Sequence, residues 1–582
     1  MKRFWANALA IFILFSLVSV AGKGLFQYSV FQTHDLKHHI SRSFDAVLAI
    51  SEGHFPLRWA GTMNYECGLP LFNFYYPLLY YLVVGINFFA GSLLFSLKIV
   101  SFLSFLTGTL FFYLWMKEET DDIWASLAGA VLYLYAPYRF LLIYVRGSPE
   151  YLSYAILPIV LLFFAKAFKE KSDLKFIFNV FLAAVFGGLL AISHNIVSLF
   201  LMPIILLYLI IKFIQNKKMG IKRTLLIIFS YISAFGLGAF FIFPALLEEK
   251  FTKISIPIFN YQHHFPTLTQ VIRSKWGYGD SAIGESLDAM SFQLGYAHWI
   301  VLAIVALWLL YSLAKVIILR KSDVKKFLFE NIYILMFFFL SLTFLFLVLP
   351  ISLPVWDKIK LLQAIQFSWR LLGICVFTIS AVFVFLAAKI KTKFLYWFLI
   401  TTTALIAVIG NRNHILPQPI LENDLPLYVN LDKLTFPRRE LPGYAETVLP
   451  PSASSGCYTA TPVVSTDFQS EKIVFKEVER GSTFGIIDFK IEKKKNIGQK
   501  IILNLSYFPD MYDFEINSKS VEYLDCGGRA CFEISGLEEG NNIVKWRVGQ
   551  TKIQKLFNGI TLGFLILWIY IMMSMIFRRK ND

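Results

Sequence analysis

Residues 371–388 read Leu371-Leu-Gly-Ile-Cys-Val-Phe-Thr-Ile-Ser-Ala-Val-Phe-Val-Phe-Leu-Ala-Ala388, an unbroken apolar run between Arg370 and Lys389. A helix needs ~20 predominantly apolar residues to cross the hydrocarbon core of a bilayer, and the run over 368–388 has that length. Comparable runs lie near 5–20, 74–91, 93–115, 123–145, 151–167, 175–193, 196–214, 224–247, 297–319, 328–350, 394–410 and 556–577, which makes thirteen. They account for a chain of 582 residues that is 57% hydrophobic and only 16% charged, where soluble domains lie near ~45–50% and ~25%. The surplus apolar surface is expected to face lipid. The chain therefore reads as a polytopic α-helical membrane protein with about 12–13 membrane helices.

The basic residues give the threading. Short connections rich in Lys and Arg are expected on the cytoplasmic side, and they stand at 166–175, 212–223, 320–326, 389–393 and 578–580. All five fit one arrangement, with both termini cytoplasmic, in a cell (plasma) membrane, and with 145–150, 248–298, 351–368 and 410–552 outside. Three runs between Phe72 and Arg146 would give an odd number of crossings where an even number is required. The run 74–91, shortened by Pro77 and studded with tyrosines, is therefore expected to lie in the interface or re-enter. The first run follows Met-Lys-Arg without a small-residue cleavage site and reads as a retained anchor. The net charge, 55 − 39 = +16, is assigned to cytoplasmic loops and contact with membrane lipids, not to nucleic acid.

Between 411 and 552 the pattern changes. Segments near 472–477, 484–491, 500–507, 512–516 and 542–548 alternate apolar with polar residues between Gly, Asn and Asp turns, the signal of an antiparallel β-sandwich. The predicted organisation is a membrane domain over 1–410 with external loops 22–73 and 248–297, an extracytoplasmic β domain over 411–552, and a last helix with a basic cytoplasmic tail over 553–582. Cys526 and Cys531 flank a short loop that is suited to a disulfide in an oxidising compartment; Cys375, inside an apolar run, reads as a small hydrophobe. No phosphate-binding Gly-Lys-Ser/Thr loop, Gly-x-Gly-x-x-Gly turn or paired Cys/His zinc spacing is found, so an activated substrate is expected from the membrane or from outside.

Beyond the first run stands Phe31-Gln-Thr-His-Asp-Leu-Lys-His-His-Ile-Ser-Arg42. Asp35 is its only carboxylate. With His34, Lys37, His38, His39 and Arg42 around it, its pKa is expected to be low and the proton-accepting form favoured; the competing reading is a solvated charge cluster. Arg146 stands at an external helix end beside Gly147, whose missing side chain is expected to let a ligand head group approach the backbone. Alternatively the arginine snorkels to the surface. Arg370 follows Trp369 at the start of the run 368–388, where an interfacial anchor pair is the plain alternative. Glu150 opens a helix and is read as a metal ligand, an acceptor-orienting group, or a partner of the helix N-terminus. His194, beside Asn195, is a phosphate or sugar contact or a hydrogen-bonded structural histidine. Asp121 and Asp122 form an acidic pair that threads to the cytoplasmic side and reads as solvated. The loop from Tyr261-Gln-His-His264 to Trp276-Gly-Tyr-Gly-Asp280 has the aromatic and polar character of a sugar-binding surface, and equally of any ordered loop at a membrane.

The order of these motifs carries a resemblance. Asp35 with a following His, then Gly53-His-Phe-Pro-Leu-Arg-Trp59, then Gly68-Leu-Pro-Leu-Phe-Asn-Phe-Tyr-Tyr-Pro-Leu78 resembles the bacterial and archaeal membrane proteins called 6-pyruvoyl-tetrahydropterin-synthase-related, whose architecture is similar to the GT-C glycosyltransferases. The resemblance continues at Tyr138-Arg-Phe-Leu-Leu-Ile-Tyr-Val-Arg-Gly-Ser-Pro-Glu150, at Ser193-His-Asn195, at Gln366-Phe-Ser-Trp-Arg-Leu-Leu372, and weakly at Tyr444-Ala-Glu-Thr-Val-Leu-Pro450. Ser368 stands where the pattern has Pro, and Thr447-Val448 replace an aromatic-aliphatic step.

What the resemblance implies is transfer of a sugar from a polyprenyl-phosphate donor to a lipid, glycan or protein acceptor on the outer face, by an inverting route. Asp35 is then the base, Arg146 and Arg370 hold the donor phosphate, and Glu150, His39, His194 and Arg58 serve the acceptor, a metal or the supporting shell. No cofactor is implied firmly, a divalent metal being the one candidate. The chemistry suits these types, because a carboxylate base assists an attacking hydroxyl and fixed cations stabilise a departing phosphate. The rival is a transporter or flippase for a lipid-linked saccharide, which is expected to place ionisable groups near mid-membrane and to show repeated halves. A non-catalytic envelope assembly factor is the third reading.

Overall fold

A computed structural model of the chain describes residues 2–28, 30–64, 66–253, 260–281, 288–318, 324–420, 465–466, 474–491, 500–533 and 539–581. Among these residues nine helices are long and apolar enough to cross a membrane, or up to twelve if each of three bent pairs is one span. All thirteen apolar runs are recovered as helix. The bends fall where the backbone has a local reason. Ile123–Leu134 and Pro137–Arg146 meet at 47° across Ala136, since a residue before proline is driven out of the helical region. Ile221–Leu237 and Ala239–Phe251 meet at 58° around Gly238, and Val324–Glu330 and Ile332–Val348 at 74° around Asn331. The run 74–91 is short, as expected: Leu71–Phe74 and Leu78–Ala90 are separate helices, and the second has 13 residues.

The run that decides the fold does not face lipid. All sixteen residues of the helix Leu372–Ala387 are buried, so it is the hub of the bundle. Small residues let its neighbours close in, as is usual where apolar packing has no water to drive it: Gly373 abuts the Tyr154 ring, and Gly129 abuts Val384. Ser341 Oγ and Thr378 Oγ1 share a hydrogen bond at 2.8 Å inside this contact. Exposed apolar side chains instead lie on peripheral helices, such as Leu562 and Ile566 on Lys552–Asn581.

The segment after the opening helix departs from the expectation of a polar external loop. The opening helix runs Lys2–Gln27, longer than the apolar run that announced it, and a second helix, Leu36–Ser51, follows it. That helix is amphipathic and buries Leu36, His39, Ile40, Arg42, Phe44 and Asp45. Its polar residues enter the interior because partners wait there: Asp45 accepts from Thr62 N at 2.7 Å and Thr62 Oγ1 at 2.8 Å. Residues 31 and 32 pair with 418 and 419 beyond the helix Lys393–Gly410, through Gln32 N to Gln418 O at 2.9 Å.

The C-terminal part is two antiparallel sheets. The strands are β1 (Ser465–Thr466), β2 (Val474–Arg480), β3 (Phe484–Ile491), β4 (Lys500–Ser506), β5 (Tyr512–Ile516), β6 (Lys519–Ser520), β7 (Leu524–Asp525), β8 (Arg529–Glu533) and β9 (Gly540–Val548). Their orders are β1-β4-β8-β7 and β2-β3-β9-β5-β6. The five strands read from alternation are present; β1, β6 and β7 are two-residue additions, and β8 is a five-residue strand that the reading missed. Cys526 and Cys531 are disulfide-bonded, and Cys375 is a buried free thiol. This domain sits on the segment 52–67. Glu52 accepts from Ser482 N and Thr483 N, each at 2.7 Å, and from Thr483 Oγ1 at 2.6 Å. Trp59 meets Tyr512 edge-on at 5.4 Å. The motif at 444–450 lies outside the described residues.

Candidate functional site

The resemblance motifs come together at one end of the bundle. The helix break at Ala136–Pro137 leaves a short second limb, Pro137–Leu141, that ends as one π-helical turn, Leu142–Arg146, and a left-handed Gly147 at φ 65°. Two backbone bonds lock the first segment onto this turn, His34 N to Val145 O at 3.0 Å and Asp35 N to Arg146 O at 2.9 Å. A Cβ at Gly147 would stand 2.7 Å from Thr33 Oγ1. The glycine therefore admits the protein's own segment 33–36, not a ligand head group as expected; that correction follows from the space being already filled.

The seam places Asp35, at the start of the helix Leu36–Ser51, opposite Arg146, with Oδ2 and the guanidinium nitrogen 3.8 Å apart. The carboxylate is about a quarter exposed, at 26%, whereas the arginine side chain is 8% exposed. Arg146 lies equally far, 3.8 Å, from Glu150, which is fully buried. Glu150 Oε1 also pairs electrostatically with Arg370 at 3.0 Å from Nε, without hydrogen-bond geometry, and stands 4.0 Å from His194 Nε2, while Oε2 accepts from Tyr138 Oη at 3.1 Å. Glu150 opens the helix Glu150–Lys169 but makes no cap bond to it; its side chain turns to the arginines. Around them stand rings: the Arg146 guanidinium lies 4.6 Å from the centre of Trp369, and that of Arg370 lies 5.0 Å from Phe367.

Burial settles what the two arginines are not. Both are shielded from solvent and engaged by a common carboxylate, whereas an interfacial anchor would reach out to head groups. Unit charges near 4 Å apart interact by ~1 kcal/mol in water and ~4 at an effective dielectric of 20, so enclosure turns this array into a strong local field. Arg370 is further tied by its own turn, to Ile365 O at 2.8 Å and Gln366 Oε1 at 3.1 Å.

Protonation follows from the same arrangement. Burial alone raises the Asp35 carboxyl, but Arg146 first, then His39, His34 and His38, bring it below the ordinary carboxylate value. The sequence expectation holds in direction, and His39, His34 and His38, which it named, contribute; it missed the largest contributor, Arg146. The local histidines stay neutral because burial pushes His38 down to about 4 and His39 to about 3, with Arg42 adding to both. The decisive cation is Arg146, 111 positions along the chain. His194 is likewise lowered to about 4 by burial first, against the pull of Glu150. It serves as a helix cap, its Nδ1 facing Val197 N at 3.4 Å, and stacks on Tyr76 at 4.6 Å.

The predicted set thus divides. Asp35, Arg146, Glu150, Arg370 and His194 form one connected group, and His39 stands one helical turn beyond Asp35. Arg58 does not join them. It is buried elsewhere, donating to Asn73 Oδ1 at 3.1 Å, Asn558 Oδ1 at 3.0 Å and Phe240 O at 2.5 Å. Asp121 pairs with Arg3, and Asp122 caps the helix Ile123–Leu134 through Trp124 N and Ala125 N, both at 3.0 Å. Tyr138 sits inside a quoted motif without having been singled out, and Trp369 entered only as half of an anchor pair; their contacts give both a place in the site. Among the described residues no group of three or more His, Cys, Asp and Glu is gathered as a metal ligand set, and both site carboxylates are turned toward arginines.

Comparison with known proteins bears out the family resemblance. Residues 72–277 match the model of a family described as 6-pyruvoyl-tetrahydropterin synthase related domain; membrane protein. Arg146, Glu150 and His194 fall inside that match; Asp35, His39, Arg58 and Arg370 fall outside it. A chain of Lactococcus lactis subsp. cremoris (strain MG1363), described as an uncharacterized protein, is 29% identical over 227 residues, which are 37% of this chain and 36% of that one. The match thus spans about a third of that relative's length. Among solved structures, an Archaeoglobus fulgidus oligosaccharyltransferase in complex with Zn and sulfate is 16% identical over 72% of this chain and 54% of its own, with a TM-score of 0.37. The arabinofuranosyltransferase AftD from Mycobacteria is 12% identical over 72% of this chain and 27% of its own, with a TM-score of 0.39.

Proposed function

We propose that the chain is a membrane glycosyltransferase that moves a sugar from a polyprenyl-phosphate donor to an acceptor on the non-cytoplasmic face of the cell (plasma) membrane, with inversion. The observation that carries this reading is the array Asp35–Arg146–Glu150–Arg370. It pairs one partly exposed, ionised carboxylate with two enclosed arginines that a buried glutamate holds together. In the reaction Asp35 takes the proton of the acceptor hydroxyl as its oxygen bonds the anomeric carbon. The bond from that carbon to the phosphate oxygen breaks, and the electron pair leaves with the polyprenyl phosphate. Arg146 and Arg370 stabilise the charge that grows there, in an enclosed setting where such stabilisation is strongest. Glu150 keeps the two guanidinium groups together, so it is a positioning residue.

A flippase for the same lipid-linked saccharide uses the same cations but has no need of a base. The array stands at helix starts beside the first external segment, which supports transfer over translocation. The test is incorporation of labelled sugar from polyprenyl-phosphate donors into lipids, glycans and proteins by wild type and Asp35→Asn. Labelled product from wild type and its loss in a folded Asp35→Asn protein are expected; equal product from both would remove Asp35 as the base.

A further inference from the structure

The helix Glu150–Lys169 carries the arginine-bound carboxylate at its first residue and a second polar cluster in its last turn. At 1.5 Å per residue Lys166 lies ~24 Å along the axis from Glu150, at the end of the bundle away from Asp35. There a cavity of about 400 Å³ opens between the ends of Leu93–Thr120 and Glu150–Lys169 and the start of Asp173–Ala191. Sites for small molecules have volumes of ~300–1,000 Å³. The walls are held in place: Arg223 donates to Glu170 O, Lys171 O and Asp173 Oδ1, which fixes the turn that joins the last two helices.

The charges that line the cavity are unevenly matched. Lys169 pairs with Glu118, Nζ to Oε1 at 3.3 Å, and Glu170 Oε1 accepts from Lys171 N at 3.0 Å and Ser172 N at 2.9 Å. Lys166 and Lys175 line the same space and have no ion pair or hydrogen bond from their ammonium groups among the described residues. Asn179 stands one turn after Lys175 on the same face. It is 8% exposed, lines the cavity, and its side chain has no hydrogen-bond partner among the described residues. An enclosed amide costs free energy unless a ligand completes its bonds. Two unpaired ammonium groups and this amide N–H are donors that one phosphate group can satisfy together. The position says which phosphate. Both helices are apolar enough to span a membrane, so their ends lie at the level of lipid head groups. Phe178, 52% exposed, adds an apolar ring to the lining on the open side. A zwitterionic head group would bring its own cation toward the lysines, so an anionic one fits better.

We infer that this cavity holds the phosphate of an anionic phospholipid head group, with Lys166 and Lys175 matching its charge and Asn179 donating to one of its oxygens. On the threading read from the basic connections this is the cytoplasmic leaflet, and the site does not depend on the transfer reading. Native mass spectrometry of the full-length protein in detergent, titrated with phosphatidylglycerol, counts the lipids retained. A single tightly held lipid per chain is expected, and phosphatidylcholine at the same concentration should not be retained. Lys166→Gln/Lys175→Gln should weaken retention about thirtyfold, the loss of two lysine charges at a membrane surface. Asn179→Leu, similar in volume, should weaken it about tenfold. Lys166→Arg/Lys175→Arg keeps the charges and should bind as wild type does, and Lys217→Gln/Lys218→Gln, in the next basic connection, should change nothing. Undiminished binding by the cavity variants, or an equal loss in the variant at 217 and 218, would reduce the binding to diffuse attraction and overturn the inference. So would displacement of the lipid by millimolar inorganic phosphate, which would assign the cavity to a free anion.

Discussion

Two buried polar clusters hold this protein's first segment, and they are built differently. Around Arg58 both terminal guanidinium nitrogens donate hydrogen bonds, while Nε has no hydrogen-bond partner among the described residues. Asn73 Nδ2 donates to Glu248 Oε2 at 2.7 Å, Gln554 Nε2 donates to the same oxygen at 3.0 Å, and Thr551 closes the other oxygen. Asn558, which receives Arg58, is itself tied to Gln550 at 2.7 Å. Glu248 is 1% exposed, and Arg58, Asn73 and Gln554 are fully buried. Around Arg146 the carboxylates stand at 3.8 Å, one of them reaches solvent, and His39 Nε2 nearby has no partner. The first network fastens the last helix to the front of the bundle through short hydrogen bonds; the second gathers two carboxylates and two arginines at wider spacing and reaches solvent at Asp35.

The comparison can be broken from either side. The largest effect is expected at Asp35. Asp35→Asn keeps shape and removes the proton acceptor, so turnover should fall ~10²–10⁴-fold, measured per mole of protein that unfolds at the wild-type temperature. A loss confined to yield would place Asp35 with the fastening cluster.

Arg146→Gln and Arg370→Gln come next and should weaken use of the lipid donor by ~10–100-fold, the cost of one or two charge-assisted bonds. Donor-concentration curves on each variant check it; an unchanged dependence in a well-folded double variant would leave the arginines structural. Arg146→Gln has a second signature. Asp35 is lowered chiefly by Arg146, so its ionised form, and the stability it lends, is present above the ordinary carboxylate range and is lost only as pH falls through the depressed value. Removing Arg146 should therefore move the acid limb of kcat/KM to higher pH, whereas no movement would contradict the pairing.

The Arg58 cluster should behave oppositely. Arg58→Gln or Glu248→Gln leaves buried groups unpaired, at about 1–3 kcal/mol, and should lower the unfolding temperature while turnover per folded molecule changes little. A turnover loss in Arg58→Gln as large as that in Arg146→Gln, at normal stability, would return Arg58 to the site.

The sequence was legible where a physical rule acts locally. Length and apolarity located each candidate membrane helix among the described residues, and Pro77 announced the short one, because a bilayer imposes one requirement on every span. Alternation found β2, β3, β4, β5 and β9; strands of two residues such as β6 and β7 have no period to read. The bend before Pro137 follows from the residue pair, but the one at Asn331 carries no comparable signal. In the site, residue types were readable and partners were not. Nothing near Asp35 in the chain indicates Arg146, and nothing near Glu150 indicates Arg370, since these meetings depend on how the helices pack. Burial is the other hidden quantity. Burial lowers the histidines of 34–39, and the largest share of the Asp35 shift comes from a distant arginine, with the histidines adding to it. Arg58 shows the same limit in reverse, a motif residue whose partners prove to be Asn73, the Phe240 carbonyl and Asn558 of the last helix.

The central claim, transfer and not passage, is tested most directly by wild-type protein in sealed vesicles that carry a polyprenyl-phosphate sugar with its anomeric carbon labelled. The account predicts that label leaves the lipid for an acceptor supplied on the non-cytoplasmic side, with the opposite anomeric configuration in the product. Label that stays on the lipid and changes only its leaflet would contradict it and establish the flippase reading instead.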